Sequence, residues 1–241
     1  MKIKLLGKNL DDIRPLLRAM GFEEVEHGFE LIITHGGDGA LLGAEREFPG
    51  VPKLPLRDSA TAMPCSAHGA LTRLDKFLRE KPEPTRLPKL AGSCNGKTLY
   101  GINDVFLHRG MPTSALRYLV SIDGSPYGGE IVGDGVGLSS VHGSTAYYRS
   151  ITHSIFRVGV GLSFSNSTEE IDHMVLAPDA EVKIRVVRGP GILVADNTPE
   201  GIPVKEGDVV TMRQTEEHAL VFGLEDFMCP VCRALRHHRK N

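Results

Sequence analysis

Residues 30–39 constrain the chain most. A short apolar run, residues 30–34, passes straight into His35-Gly36-Gly37-Asp38-Gly39, and residues 40–48 follow as a helix candidate. Strand, glycine-rich turn and helix in that order open a β-α-β unit, which calls for a mostly parallel sheet with helices on its faces. Upstream, residues 1–6 alternate Lys with Ile and Leu and read as a first strand. Residues 10–20 place Ile13, Leu16, Leu17 and Met20 at helical spacing, and Gly21 is a natural stop. Residues 70–79 read as a further short amphipathic helix. Residues 49–64, rich in Pro, Ser and Thr, receive no element, and residues 81–88 carry three prolines and read as a linker.

From about residue 90 the texture changes. Short runs rich in Val, Ile, Leu and Tyr alternate with glycine turns, at residues 104–107, 115–122, 182–187 and 209–213. That spacing predicts an all-β unit, and Asp123-Gly124 is a strong hairpin signal. The expected organisation is an N-terminal α/β domain over residues 1–89 and a β-rich second domain over residues 90–222.

Composition narrows the function classes. With 241 residues, 41% of them hydrophobic, the chain is long enough for a sizeable core. A formal net charge of -2 leaves no global basic field to hold nucleic acid by its phosphates. No apolar run is long enough to span a bilayer, and residues 1–6 resemble a strand rather than a signal peptide, so no membrane contact and a cytoplasmic location are expected. The four cysteines form no disulfide framework. Cys229 and Cys232 make a C-x-x-C near His237 and His238, without a clean fourth ligand, so no metal ligands are assigned.

Gly36, Gly37 and Gly39 let the backbone approach a phosphate and aim N–H groups at it, with the following helix adding its positive end. Asp38 then stands where a carboxylate can orient or deprotonate a hydroxyl, or hold Mg²⁺. A plain β-α turn would use the same residue types. Residues 91–98, Ala-Gly-Ser-Cys-Asn-Gly-Lys-Thr, nearly spell a phosphate-binding P-loop. Ala91 replaces the first glycine, a proline-rich stretch rather than a buried strand precedes the segment, and strand rather than helix follows, so it reads as a hairpin turn. Asn103-Asp104 opens an apolar strand. Gly133-Asp134-Gly135 leads to the run from Ser139 through Gly143-Ser144-Thr145-Ala146-Tyr147. There, hydroxyls and small residues admit a ligand, and Tyr147 can stack on a base. No G-x-G-x-x-G, H-E-x-x-H or G-x-S-x-G occurs.

In this order the clusters resemble the NAD kinase family, which carries Gly-Gly-Asp-Gly, then Asn-Glu, Gly-Asp-Gly and Thr-Gly-Ser-Thr-Ala-Tyr. Gly-Gly-Asp-Gly is shared with diacylglycerol, sphingosine and sugar-phosphate kinases, whereas the Gly-Ser-Thr-Ala-Tyr run is specific. The resemblance implies a Rossmann-like α/β domain with a parallel sheet, an all-β sandwich-like domain, and a terminal segment, residues 223–241, returning toward the first. It implies transfer of the γ-phosphoryl of ATP or polyphosphate to the adenosine 2′-hydroxyl of NAD, with a divalent metal such as Mg²⁺, in a homodimer or homotetramer. Asp38 would act on the attacking hydroxyl, and Gly36, Gly37 and Gly39 would cradle phosphates. Asn103, Asp104, Thr145, Ala146, Tyr147 and Ser150 would hold NAD, and Asp134 would reach the nucleoside across a subunit boundary.

The chain departs from the family pattern in several places. Ala40 stands for the usual Thr, Asp104 for Glu, and Val141-His142 for Pro-Thr. Residues 149–153 replace a Gly-Gly-Pro, and residues 53–64 replace a glycine-rich stretch. The departures bear on substrate identity more than on reaction type. Two alternatives stay open: a nucleotide-binding sensor of the same fold with reduced turnover, and a kinase of a different hydroxyl substrate.

Overall fold

The computed structural model describes residues 1–60 and 68–224. Cys65, Cys229, Cys232 and the assigned terminal segment beyond Leu224 lie outside the described residues. The described residues divide into two compact units, one of residues 1–87 with 219–224, the other of Pro88–His218.

The first unit contains β1 (Lys2–Gly7), α1 (Leu10–Ala19), β2 (Glu23–Glu24), β3 (Leu31–His35), α2 (Asp38–Glu47), β4 (Lys53–Leu56) and α3 (Ala70–Glu80). Its strands run in the order β2-β1-β3-β4, all parallel. Every residue of β3 is buried, as a central parallel strand covered on both faces requires. Ile13 and Leu17 of α1 and Leu74 and Phe77 of α3 close one core with Ile3, Leu5, Leu31, Ile33, Leu54 and Leu56 of the strands. Gly21, at φ 81°, follows the end of α1 and stops the helix as anticipated. The chain leaves β1 toward β2 and leaves β3 toward β4, in opposite directions. With the right-handed crossovers that such units adopt, α1 and α2 fall on opposite faces, and the carboxyl ends of β1 and β3 form the switch point of the sheet. The glycine turn sits there. Strand β4 was not anticipated, because Pro52 and Pro55 mask its pattern. It is anchored by a fully buried ion pair between Lys53 and Glu45, with Lys53 Nζ also donating to the Phe48 carbonyl at 2.6 Å.

The second unit contains β5 (Thr85–Cys94), β6 (Lys97–Gly101), β7 (Asp104–Arg109), β8 (Leu116–Ile122), β9 (Ser125–Gly133) and β10 (Gly135–Ser139). A 3-10 turn (Gly143–Thr145) and α4 (Tyr147–Thr152) follow, then β11 (Val160–Ser165), β12 (His173–Leu176), β13 (Glu181–Arg188), β14 (Gly191–Ala195), β15 (Ile202–Val204) and β16 (Val209–Val221), whose last residues, from Ala219, belong to the first unit. Two antiparallel layers enclose one core. One runs β16-β13-β8-β9 with the β5-β6 hairpin alongside β16, and the other is six-stranded, β12-β11-β10-β7-β14-β15. Val105 and Leu107 of β7 and Val136 and Leu138 of β10 meet Tyr118, Val120, Val182, Ile184, Val210 and Met212 across that core. The fold class is thus a mixed, mostly parallel α/β sheet plus a separate, all-antiparallel six-stranded β sheet.

Several local expectations change. Strand β5 begins at Thr85 and includes Pro88, so the linker read over residues 81–88 is shorter and the stretch before Ala91 is a strand after all. Residues 99–107 fall in two strands, β6 and β7, broken at Ile102 and Asn103. The residues resembling a P-loop form the β5-β6 hairpin, with Cys94 paired to Lys97 and with Asn95 and Gly96 both at positive φ, the geometry of a type I′ turn. Asp123 and Gly124 join β8 to β9 in the same way. No helix among the described residues is long and apolar enough to cross a membrane.

Candidate functional site

In the first unit, the glycine turn is held from both sides. The Gly36 amide donates to the Leu56 carbonyl at 2.9 Å, and the Lys8 amide donates to the His35 carbonyl at 2.9 Å. Gly36 has φ 148°, a conformation that L side chains rarely adopt. A Cβ on Gly7 would lie 2.0 Å from the His35 carbonyl oxygen, so β1 runs hard against the turn. Asn9 Nδ2 donates to Asp58 Oδ2 at 2.8 Å, tying the loop after β1 to the chain after β4. Helix α2 starts directly at the turn, with Gly37 at its N-cap and no side-chain cap. Its first-turn amides and dipole favour an anion there. Asp38, half-buried, projects from that first turn. Gly36, Gly37, Asp38 and Gly39 are therefore brought together as one anion-favouring corner carrying one carboxylate.

In the second unit, the remaining sequence-assigned residues fall into two neighbouring groups. The first centres on the turn into β7. Asn103 and Asp104 are both buried. Ser140 Oγ donates to the Ile102 carbonyl at 2.6 Å and accepts from the Gly143 amide at 3.0 Å. The Ser140 amide in turn donates to the Asn103 carbonyl at 2.8 Å. A Cβ on Gly143 would lie 2.0 Å from the Asn103 carbonyl oxygen, so only glycine fits. Asn103-Asp104 and the Gly143–Tyr147 loop, far apart in sequence, thus form one surface. Burial, and secondarily the carboxylate of Asp196, raise the Asp104 carboxyl to about 7. Asp196 accepts from the backbone amides of Ile102, Asn103 and Asp104 at 2.7, 2.8 and 3.1 Å.

The second group lies further along β7. Phe106 and His108 point away from the core, stacked with centroids 4.5 Å apart, and Tyr147 meets the Phe106 ring edge-on at 5.0 Å. Gly135 and Gly137 of β10 stand opposite them, and a Cβ on Gly137 would fall 2.0 Å from the Phe106 ring. Tyr147 remains 38% exposed, enough to receive a stacked ring. Burial lowers the His108 pKa despite the opposing pull of Asp134. Asp134 Oδ1 pairs with Arg109 at 3.2 Å, and Asp134 Oδ2 accepts from Asn166 Nδ2 at 2.9 Å. Thr145 and Ala146 lie in and just after the 3-10 turn, with the Ala146 amide bonded to the Gly143 carbonyl at 2.8 Å. Ser150 donates its hydroxyl to the Tyr147 carbonyl at 2.6 Å, so its proton is spent within α4. Tyr147 and Ser150 line one wall of a cleft of about 480 Å³ shared with Asn166, Glu169, Glu170 and Asp172.

Sequence reasoning missed Asp196, His108 and the part played by Ser140. Asp196 follows an apolar strand and precedes Asn197-Thr198-Pro199, which is ordinary turn chemistry with no signal of its own. Among the described residues, no group of three or more His, Cys, Asp or Glu is arranged to hold a metal.

The chain thus combines a parallel α/β unit carrying an anion-favouring glycine corner with an antiparallel β unit carrying a buried polar turn beside an aromatic wall. No family model matches the chain. Curated relatives do. An NAD kinase of Oleidesulfovibrio alaskensis is 29% identical over 212 residues, 80% of this chain and 71% of the relative. An NAD kinase of Saccharolobus islandicus is 27% identical over 236 residues, 92% of this chain and 89% of the relative. Among solved structures, an NAD kinase from Archaeoglobus fulgidus in complex with ATP superposes with a TM-score of 0.77 at 18% identity, covering 97% of this chain and 99% of that one. Yeast NADH kinase complexed with NADH gives 0.72 at 15% identity, covering 92% and 82%. Over most of its length the chain is thus similar in sequence to NAD kinases, and it shares their fold.

Proposed function

We propose that this protein is an NAD kinase, moving the γ-phosphoryl of ATP to the adenosine 2′-hydroxyl of NAD to give NADP. The contact that carries this assignment is the one joining Asn103-Asp104 to the Gly143–Tyr147 loop through Ser140, since it assembles the family-specific motifs into one polar, aromatic-walled surface. There Asn103 and Asp104 supply hydrogen-bonding groups for ribose and base, and Thr145, Ala146 and Tyr147 hold the adenine end. Ser150 contributes its oxygen as an acceptor.

Gly36, Gly37 and Gly39 present backbone N–H groups to phosphates, and Asp38 orients or takes the proton of the attacking hydroxyl. Phosphoryl transfer asks the protein mainly for positioning and charge stabilisation. Mg²⁺ binds through phosphates, waters and one or two carboxylates rather than an all-protein cage. The residues at the glycine corner fit that pattern, with Asp38 as the carboxylate, and the ion neutralises phosphate charge when bound. The assembly is read as a homodimer or homotetramer in which Asp134 reaches the nucleoside across a subunit boundary, a state that light scattering checks.

The deciding experiment is a coupled assay for NADP formation from NAD, ATP and Mg²⁺, repeated with polyphosphate, with Asp38→Asn as control. Activity that falls by orders of magnitude in the control while NAD binding persists supports the assignment. Measurable NAD binding without turnover under either donor would point instead to a sensor, in keeping with Ala40 in place of a hydroxyl beside the glycine corner.

A further inference from the structure

Three backbone amides, those of Ile102, Asn103 and Asp104, converge on the single carboxylate of Asp196 at 2.7, 2.8 and 3.1 Å. Consecutive N–H groups pointing to one side form a concavity that wants an anion, and here the protein supplies the anion itself. Asp196 reaches it because its own backbone folds back at φ 48°, and its amide is tied to the Asp104 carbonyl at 3.0 Å. The fit leaves no slack. A Cβ on Gly101 would meet the Asp104 carbonyl oxygen at 2.5 Å and Asp196 Oδ1 at 2.9 Å. Asp196 thus grips the N–H side of the turn while Ser140 grips its carbonyl side.

We propose that Asp196 is a positioning residue for dinucleotide recognition, shaping the Asn103–Asp104 turn so that it presents its side chains to a ligand rich in hydrogen-bond donors. The proposal rests on the assignment of that turn to dinucleotide binding. Asn103 Oδ1 is buried and has no partner among the described residues, an acceptor waiting for a donor. With the carboxylates of Asp104 and Asp196 beside it, this surface repels phosphate and suits ribose hydroxyls or an exocyclic amine. Asp196 is therefore specific to the acceptor nucleotide's nucleoside end.

The test compares Asp196→Ala and Asp196→Asn with the wild type by calorimetric titration of NAD, by steady-state kinetics in NAD and ATP, and by thermal melting. Asp196→Ala is expected to weaken NAD binding by about tenfold or more, because charge-assisted hydrogen bonds are lost. The KM for ATP stays unchanged, and Asp196→Asn, whose oxygen can still accept from Asn103 and Asp104 while its NH2 faces the Ile102 amide, recovers part of the NAD affinity. If Asp196→Ala does not fold, Asp196→Ser, with a shorter acceptor, takes its place.

The proposal is overturned if a folded alanine or serine variant binds NAD as the wild type does. It is overturned equally if NAD and ATP constants shift together without rescue by Asn, the pattern of a purely structural role. A wild type that binds NAD but forms no NADP defeats the kinase assignment alone, and the affinity comparison still decides the role of Asp196. A wild type with no affinity for NAD overturns both.

Discussion

Replacing Asp104 by Asn should stabilise the protein at alkaline pH while weakening its hold on the dinucleotide. Asp104 is 7% exposed, and its carboxyl is raised to about 7 by burial and by Asp196. In the unfolded chain the same carboxyl has a pKa of about 3.9. The folded state therefore holds this proton more tightly, and folding is disfavoured as the pH rises. Below about pH 4 both states are protonated and there is no penalty. The penalty grows between about pH 4 and 7 and is complete above, where a pKa raised from about 3.9 to about 7 corresponds to roughly 4 kcal/mol.

Asparagine has nearly the same shape and carries no charge, so Asp104→Asn escapes the penalty. The variant should exceed the wild type by about 4 kcal/mol at pH 8, and by under about 1 kcal/mol at pH 4. For a chain of this size that is roughly a 10 °C rise in Tm at pH 8. Because the chain has no Trp, urea unfolding followed by far-UV circular dichroism at both pH values is the direct assay. A variant no more stable than the wild type at pH 8, or a gain independent of pH, would refute the account of Asp104. NAD affinity measured alongside should fall, since a buried carboxylate that costs stability is retained at a site that uses it.

Two further changes probe the same surface. Gly143→Ala places a Cβ 2.0 Å from the Asn103 carbonyl oxygen, a backbone atom that cannot turn aside. It should lower stability by about 3 kcal/mol and cut NAD affinity, and a melting temperature indistinguishable from wild type would count against the tight contact. Tyr147→Ala should weaken NAD binding by about fivefold, the equivalent of about 1 kcal/mol of stacking, with the KM for ATP unmoved; unchanged NAD affinity by titration would remove Tyr147 from the adenine site.

Much of the fold was legible in one dimension because its signals are local. Strand β3, the glycine turn and helix α2 announce themselves through an apolar run followed by residues that tolerate unusual backbone angles. The hairpins at Asn95-Gly96 and Asp123-Gly124 do so through residues at ease with positive φ. Elements that tertiary packing imposes against local preference were not legible. Strand β5 carries Pro88 within it and β4 carries Pro55. Helix α4 has only six residues, too few to stand without the sheet it lies on.

For the site, the order of motifs along the chain nominated Gly36, Gly37, Asp38, Gly39, Asn103, Asp104, Asp134, the Thr145–Tyr147 run and Ser150 through the resemblance it carries. What only the tertiary structure decided is how those residues are held. Ser140 joins the Asn103 turn to the Gly143 loop, and Asp196 closes the turn from the end of β14 with a carboxylate that also raises the Asp104 pKa. The physical reason is that a turn's backbone N–H and C=O groups must find partners when buried, and those partners come from whichever strand the sheet places alongside. Strand pairing between β7 and β14, rather than any motif, put Asp196 there.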